Sequence, residues 1–392
     1  MRFYIAKERS TIIFSVMVIM VVFMLPNMAT PVYSIWQTDI GFSSGIMTEI
    51  FAAYIFGLIT SLLVVGKVSE HLGHKTIIVS GLVFALLSCL AYLFASTIGL
   101  LLMARILTGF AVGTIVTAGI AVAVDLGGTT RINQSALLAS MAIVMGAGLG
   151  PLISGFLAQT MSNPVPIIYT LMLIMVLAGL CLVLSLPLRK KVKSFTPAQY
   201  GLLTVLVENR AHLICAVAVY APALISSSFV AALTPSMFAH QLGTNSPLLT
   251  GSSVAISFVS AALFQLFVRR LNIRKLLTGG TMLCIAGLFL MATSVNANSP
   301  CLLLASCIIS GGSMALSQLG AVSLLAREVI MSQRTEANSI FSLGSYIPAG
   351  IFSASSGFLI DALGLPLAID ILAGIVLLFT ILSLVYILRK RP

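Results

Sequence analysis

The sequence predicts an all-α integral membrane protein: twelve transmembrane helices arranged as two pseudo-symmetric six-helix bundles. Three observations predict it. Charged residues make up 8% of the 392-residue chain, hydrophobic residues 59%, and the mean hydropathy is +1.12. Soluble domains carry roughly 25% charged residues, so most of this surface faces something other than water. Apolar runs of about 20 residues recur along the chain, each able to cross a hydrocarbon core of about 30 Å at about 1.5 Å per residue. Finally, the basic residues cluster in alternate gaps between those runs. A β-barrel is excluded, because its strands alternate polar and apolar over about 10 residues.

The first span, 10–36, follows MRFYIAKERS. Its apolar run exceeds the roughly 7–15 residues of a signal-peptide core and no A-x-A-like site follows, so it reads as a retained helix. Runs at 46–66, 76–95, 98–124, 134–158 and 166–186 complete a first bundle over 1–188. The polar stretch 189–211 reads as a cytoplasmic linker. Runs at 212–238, 249–268, 276–296, 299–325, 337–360 and 366–388 make a second bundle over 212–392.

With these spans, twenty of the 21 Lys and Arg residues fall in gaps on one side of the membrane. The positive-inside rule makes that side cytoplasmic and places both termini there. One added or missing span would scramble this sidedness. The net charge of +11 is therefore an orientation signal with an attraction to anionic lipid, and nucleic acid is not an expected partner. The six cysteines, Cys89, Cys181, Cys215, Cys284, Cys301 and Cys307, all lie in apolar runs without a C-x-x-C pair. They imply neither a disulfide framework nor a metal site.

The halves echo each other. Arg131 precedes a small-residue-rich helix with Pro151 at mid-span and Gly155 beyond it; Arg334 precedes one with Pro348 and Gly357. Such a 6+6 repeat characterises secondary transporters. Spans 1 and 7 read as proline-interrupted, at Pro26 and Pro31 and at Pro222 and Pro235. Interruptions at matching places in two repeats point to a binding site.

Ionisable groups inside spans are costly and mark function by default. Arg105 lies about 10 Å inside span 4 at about 1.5 Å per residue, and its guanidinium stays charged. It reads as a charge coupled to a titrating acid or to substrate, or as an outer-end Arg snorkelling to water. Glu49, near the outer end of span 2, reads either as a proton acceptor or as a wetted interfacial carboxylate. Asp370, early in span 12, is the other proton-coupling candidate. Asp39 and Asp361 read as solvated residues of outer loops. Asn27, Tyr220, Ser227 and Gln318 are mid-span polar groups able to line a substrate cavity, although helix packing uses the same residue types. In GAGLGPLISG, Gly146, Gly150 and Gly155 permit close helix approach and Pro151 permits a bend. No G-x-S-x-G, P-loop or H-E-x-x-H motif appears, so an enzyme is not expected. His71 and His74, with only Glu70 beside them, do not make a metal site.

Three motifs resemble those of the major facilitator superfamily. GKVSEHLGHK, residues 66–75, resembles the family's loop between spans 2 and 3, with Gly66, Glu70, Gly73 and Lys75 in matching roles and His74 where Arg is usual. RILTGFAVG, from Arg105 through Gly113, resembles the span-4 motif of proton-coupled members. GAGLGPLISG resembles the span-5 motif of the drug:proton antiporter branch. The resemblance covers essentially the whole chain. It implies a monomer of the inner membrane that exports small organic molecules, drugs or metabolites, by alternating access. No cofactor is implied beyond the proton gradient, and the partners are substrate, protons and lipid; import of a nutrient is the alternative. It also implies a conformational latch at the cytoplasmic face: Gly66, Glu70, Gly73, Lys75 and Arg131, with Glu70 near the start of span 11. Span 1 departs from several drug exporters in holding no acid between residues 10 and 36.

Overall fold

In a computed structural model that describes residues 2–72, 74–119, 122, 128–185, 202–243, 246–268, 270–330 and 333–390, every regular element is helical. A lipid-facing chain has no water to satisfy its backbone, so helices, which bond within themselves, follow from the composition. Eleven helical stretches among the described residues are long and apolar enough to cross a membrane, and the shorter apolar helix Ile98–Thr114 stands where the fourth span is expected.

The chain divides into two compact units, residues 1–40 with 53–195, and residues 41–52 with 196–392. The first contains α1 (Arg2–Met28), α2 (Tyr33–Ile40), most of α3 (Ser44–Leu72), α4 (His74–Leu93), α5 (Ile98–Thr114), α6 (Gly128–Thr160) and α7 (Pro164–Ser185). There α1 packs along α6, and α4 lies against α5 and α7. The second contains the first residues of α3, then α8 (Leu202–Glu208), α9 (Arg210–Leu242), α10 (Pro247–Val268), α11 (Ile273–Asn296), α12 (Pro300–Glu328), α13 (Arg334–Leu363) and α14 (Leu365–Lys390). In this unit α12 is central, packed on α9, α10 and α11.

Element ends follow local chemistry. Pro164, Pro247 and Pro300 each open a helix, where a missing N–H costs nothing and φ is already helical. Gly364, at φ +80°, is the single residue between α13 and α14; the left-handed region there favours glycine. Thr97 caps α5 by accepting from the Leu100 N–H.

The end of the expected linker is ordered as α8. Asn209, directly after it, donates to Gln333 Oε1 at 2.8 Å, and Gln333 donates to Glu208. Both amides are buried, so α8 is bound to the start of α13 rather than hanging free.

The prolines divide into two outcomes. At Pro31 the first span breaks into α1 and α2 through a 3₁₀ turn, Thr30–Val32. At Pro222 and Pro235 the expected interruption of span 7 does not occur: α9 runs unbroken from Arg210 to Leu242. The reason is visible at Pro222. It has no N–H for the carbonyl four residues back, Ala218, and Ser383 of α14 donates its hydroxyl to that carbonyl at 2.7 Å. In the first unit Asn27 Nδ2 of α1 donates at 3.2 Å to Ala147 O, the carbonyl that Pro151 leaves without its helical donor. Side chains on neighbouring helices complete the ladder, as membrane interiors require.

Ser383→Ala is therefore expected to destabilise by about 1–3 kcal/mol, the cost of leaving a buried acceptor unmet. In a Pro222→Ala background, where the backbone N–H returns, most of that cost should vanish. A double-mutant cycle on thermal melts of purified protein checks it; equal costs in both backgrounds would contradict the assignment.

Candidate functional site

Arg105 is the only charged side chain among the buried described residues. It stands on α5, which glycines hold tightly to its neighbour: a methyl on Gly109 would lie 2.3 Å from the Tyr54 carbonyl of α3. Beyond Gly113 the helix changes to a π-turn, Ile115–Gly119, beside a small apolar cleft lined by Ser15, Ile19, Ile78 and Val183.

The guanidinium Nε donates to the Tyr33 hydroxyl and Nη1 donates to the Pro26 carbonyl. Its carbon also sits 5.0 Å from the Tyr33 ring centroid. These contacts exist because α1 ends at Met28: carbonyls of a helix's last turn lack N–H partners and present the negative end of the macrodipole. The break at Pro31 thus creates the acceptor that holds the buried cation.

An aromatic cluster joins this contact. Trp36 lies 6.1 Å from Tyr33, 5.6 Å from Tyr92 and 5.9 Å from Tyr169, and Tyr92 stacks on Tyr169 at 4.5 Å. All four rings are buried. The cluster unites α2, α4, α5 and α7. Ser88 donates to the Ala104 carbonyl at 2.8 Å and contacts Thr108 at 2.7 Å, fixing α4 against α5 below Arg105.

Both expected acids belong to the second unit. Glu49 is exposed on α3. Asp370 is exposed on α14, where Asn296 Nδ2 donates to its two oxygens at 2.9 and 3.2 Å. The cavity candidates are divided between the two units. Asn27 is engaged with Ala147 in the first unit; in the second, Tyr220 stacks on Phe341 at 5.2 Å, Ser227 is buried on α9 and Gln318 is half-buried on α12.

The span-5 motif lies directly on span 1. A methyl on Gly146 would stand 2.3 Å from the Met20 carbonyl, and one on Gly150 2.2 Å from the Met24 carbonyl. Pro151 and Gly155 are buried on the same helix. Of the expected latch, Lys75 donates to the Leu184 carbonyl at the end of α7 at 2.9 Å. Gly66, Glu70, Gly73 and Arg131 lie outside the residues described at side-chain level.

A pattern emerges that charge counting alone does not reveal. Lys75 meets the C-terminal carbonyls of α7, Arg334 those of α12 through Val329 and Ala326, and Arg105 that of α1. Each cation sits where a helix dipole favours it. The reciprocal case is Asp361. Expected as a solvated loop residue, it belongs to α13 and accepts from the N–H groups of Ser44 and Gly45 at 3.1 and 2.7 Å, at the first turn of α3. Thr48 reinforces this by donating to the Ala354 carbonyl at 3.0 Å. The FSSG segment opening span 2 was the available sequence signal for a helix start seeking an anion.

Comparison with known proteins identifies the family. The profile of the Major Facilitator Superfamily matches residues 12–329 and 216–392. An uncharacterised MFS-type transporter of Methanocaldococcus jannaschii is 25% identical over 346 residues, 86% of this chain and 87% of that protein. A probable efflux pump of Aspergillus flavus is 30% identical over 112 residues, 29% of this chain and 26% of the pump. Among solved structures, the nucleoside transporter NupG superposes with TM-score 0.74 at 13% identity, over 98% of this chain and 99% of its own. A POT family transporter in complex with 5-aminolevulinic acid gives 0.76 at 13% identity, over 96% and 95%. At such identities these structures speak for the fold alone. The relatives are transporters and not enzymes. With the family profile spanning nearly the whole sequence, this multi-pass, all-helical chain belongs to the major facilitator superfamily.

Proposed function

We propose that the chain is a proton-coupled secondary transporter that exports small organic molecules through the inner membrane by alternating access. It acts as a monomer, with both termini cytoplasmic and the proton gradient as its energy source. The observation that supports this best is the span-5 glycine seam, Gly146 and Gly150, set against the carbonyls of span 1. Such a seam packs span 5 backbone-to-backbone on span 1 within the first unit, the close approach that small residues permit between membrane helices. It is formed by the very motif that resembles the antiporter branch, and the partial likeness to an efflux pump supports the same direction.

In this reading either Glu49 or Asp370 is the proton carrier, Arg105 is a partner that tunes it, and the loop Gly66–Lys75 with Arg131 latches one of the two states. Everted vesicles with an acidic lumen test it. Compounds that stabilise the purified protein in a thermal-shift screen are added outside; a ligand at 100 times its dissociation constant stabilises by about 2.7 kcal/mol. The expected result is accumulation inside wild-type vesicles and loss of accumulation in the Glu49→Gln, Asp370→Asn double variant. Accumulation that survives both substitutions would remove these carriers, and accumulation that ignores the gradient would remove proton coupling.

A further inference from the structure

We propose that the Arg105–tyrosine cluster is an anion-binding site that takes the carboxylate of an organic acid, so that the transported substrates are organic anions. This deepens the export reading and rests on it. The buried described residues include one charged side chain, Arg105, and no carboxylate. A buried positive charge with no buried carboxylate among the described residues attracts an anion and opposes a cation, and the low dielectric of the membrane core magnifies both effects.

The second observation is Tyr169. Its hydroxyl is fully buried and has no hydrogen-bond partner among the described residues. Buried polar groups are satisfied in the great majority of cases, so an unmet phenol in the ring cluster that Arg105 joins through Tyr33 marks a place for an acceptor. Among the described partners, Arg105 uses a helix-terminal carbonyl and a phenol. A carboxylate offers a full charge and bidentate geometry, a contact roughly twice as strong as a neutral one. The groups it would displace, Pro26 O and Tyr33, lie on either side of the 3₁₀ turn Thr30–Val32, so movement of α2 about that break opens the guanidinium to the ligand.

The cluster contains its own reporter, because Trp36 is the chain's single tryptophan and stacks on Tyr169. Purified full-length protein is titrated with benzoate and, separately, with benzylammonium, which shares the ring and reverses the charge. The expected result is a saturable change of Trp36 emission with benzoate and none with benzylammonium. Arg105→Gln should abolish the response. Tyr169→Phe, which removes one hydroxyl and keeps the stacked ring, should weaken the affinity roughly tenfold. Equal responses to both probes, no saturable response to benzoate, or unchanged benzoate affinity in Tyr169→Phe would overturn the site. The two readings fail separately: benzoate binding without gradient-driven uptake of any compound removes export and keeps the site, whereas uptake with a flat titration removes the site and keeps export.

Discussion

Gly150→Ala is expected to lower the stability of the protein by about 3 kcal/mol, and Gly150→Val to eliminate the folded form. The added methyl would stand 2.2 Å from the Met24 carbonyl. That neighbour is backbone, so relief requires α1 and α6 to separate along their length. Overpacking a well-packed interior typically costs about 1–3 kcal/mol, and more where the backbone must move. Separation also stretches the bond from Asn27 to the Ala147 carbonyl, which Pro151 makes dependent on that amide. Gly374 provides the control, since nothing lies within 4 Å of a methyl placed there. In a helix interior Gly374→Ala should be neutral or stabilise by roughly 0.5–1 kcal/mol. Thermal melts of purified variants, with size-exclusion profiles to score aggregation, decide the matter. A Gly150→Ala protein as stable as wild type would show that the seam is loose.

The second large effect is expected at Arg105, and it separates function from stability. Arg105→Met should leave a folded protein whose melting temperature stays within a few degrees of wild type, while gradient-driven transport is lost. Removing the guanidinium leaves the Tyr33 hydroxyl and Pro26 carbonyl without their donor, at about 1–3 kcal/mol for each unmet group. Against this, desolvating an ion costs several kcal/mol, and methionine fills the space without it. The two contributions are of similar size and opposite sign. Arg105→Glu behaves differently, because it places a negative charge against the negative end of α1; it should fail to fold. Retained transport in Arg105→Met would mean that the charge serves packing only.

Much of the architecture was legible in the sequence for one physical reason: hydrocarbon imposes length, apolarity and internal hydrogen bonding on every span. Span positions and the all-helical class follow from those constraints without tertiary information. The local consequence of each proline was legible in part. That Pro151 and Pro222 free the carbonyls of Ala147 and Ala218 follows from helix geometry, but the donors, Asn27 and Ser383, come from helices distant in sequence. Only their register decides which polar side chain arrives. For the same reason periodicity cannot distinguish a mid-span amide lining a cavity from one repairing a neighbour.

Arg105 shows the limit most clearly. Its position inside span 4 was legible from the apolar run around it. Its environment was not, since a carboxylate, carbonyls or water could all meet a guanidinium there, and the acceptors are the Tyr33 hydroxyl and a backbone carbonyl made available by the Pro31 break. The aromatic cluster was hidden too, because Tyr33, Trp36, Tyr92 and Tyr169 sit in three separate spans.

The central claim, export in exchange for protons, is tested most directly by lumenal pH. Everted vesicles with an acidic lumen and an entrapped pH-sensitive dye receive a compound that binds the purified protein. Antiport predicts that lumenal pH rises on addition as protons leave against the entering compound, and that Arg105→Met vesicles show no rise. A lumenal pH that stays constant or falls when the compound is added to wild-type vesicles would contradict the account.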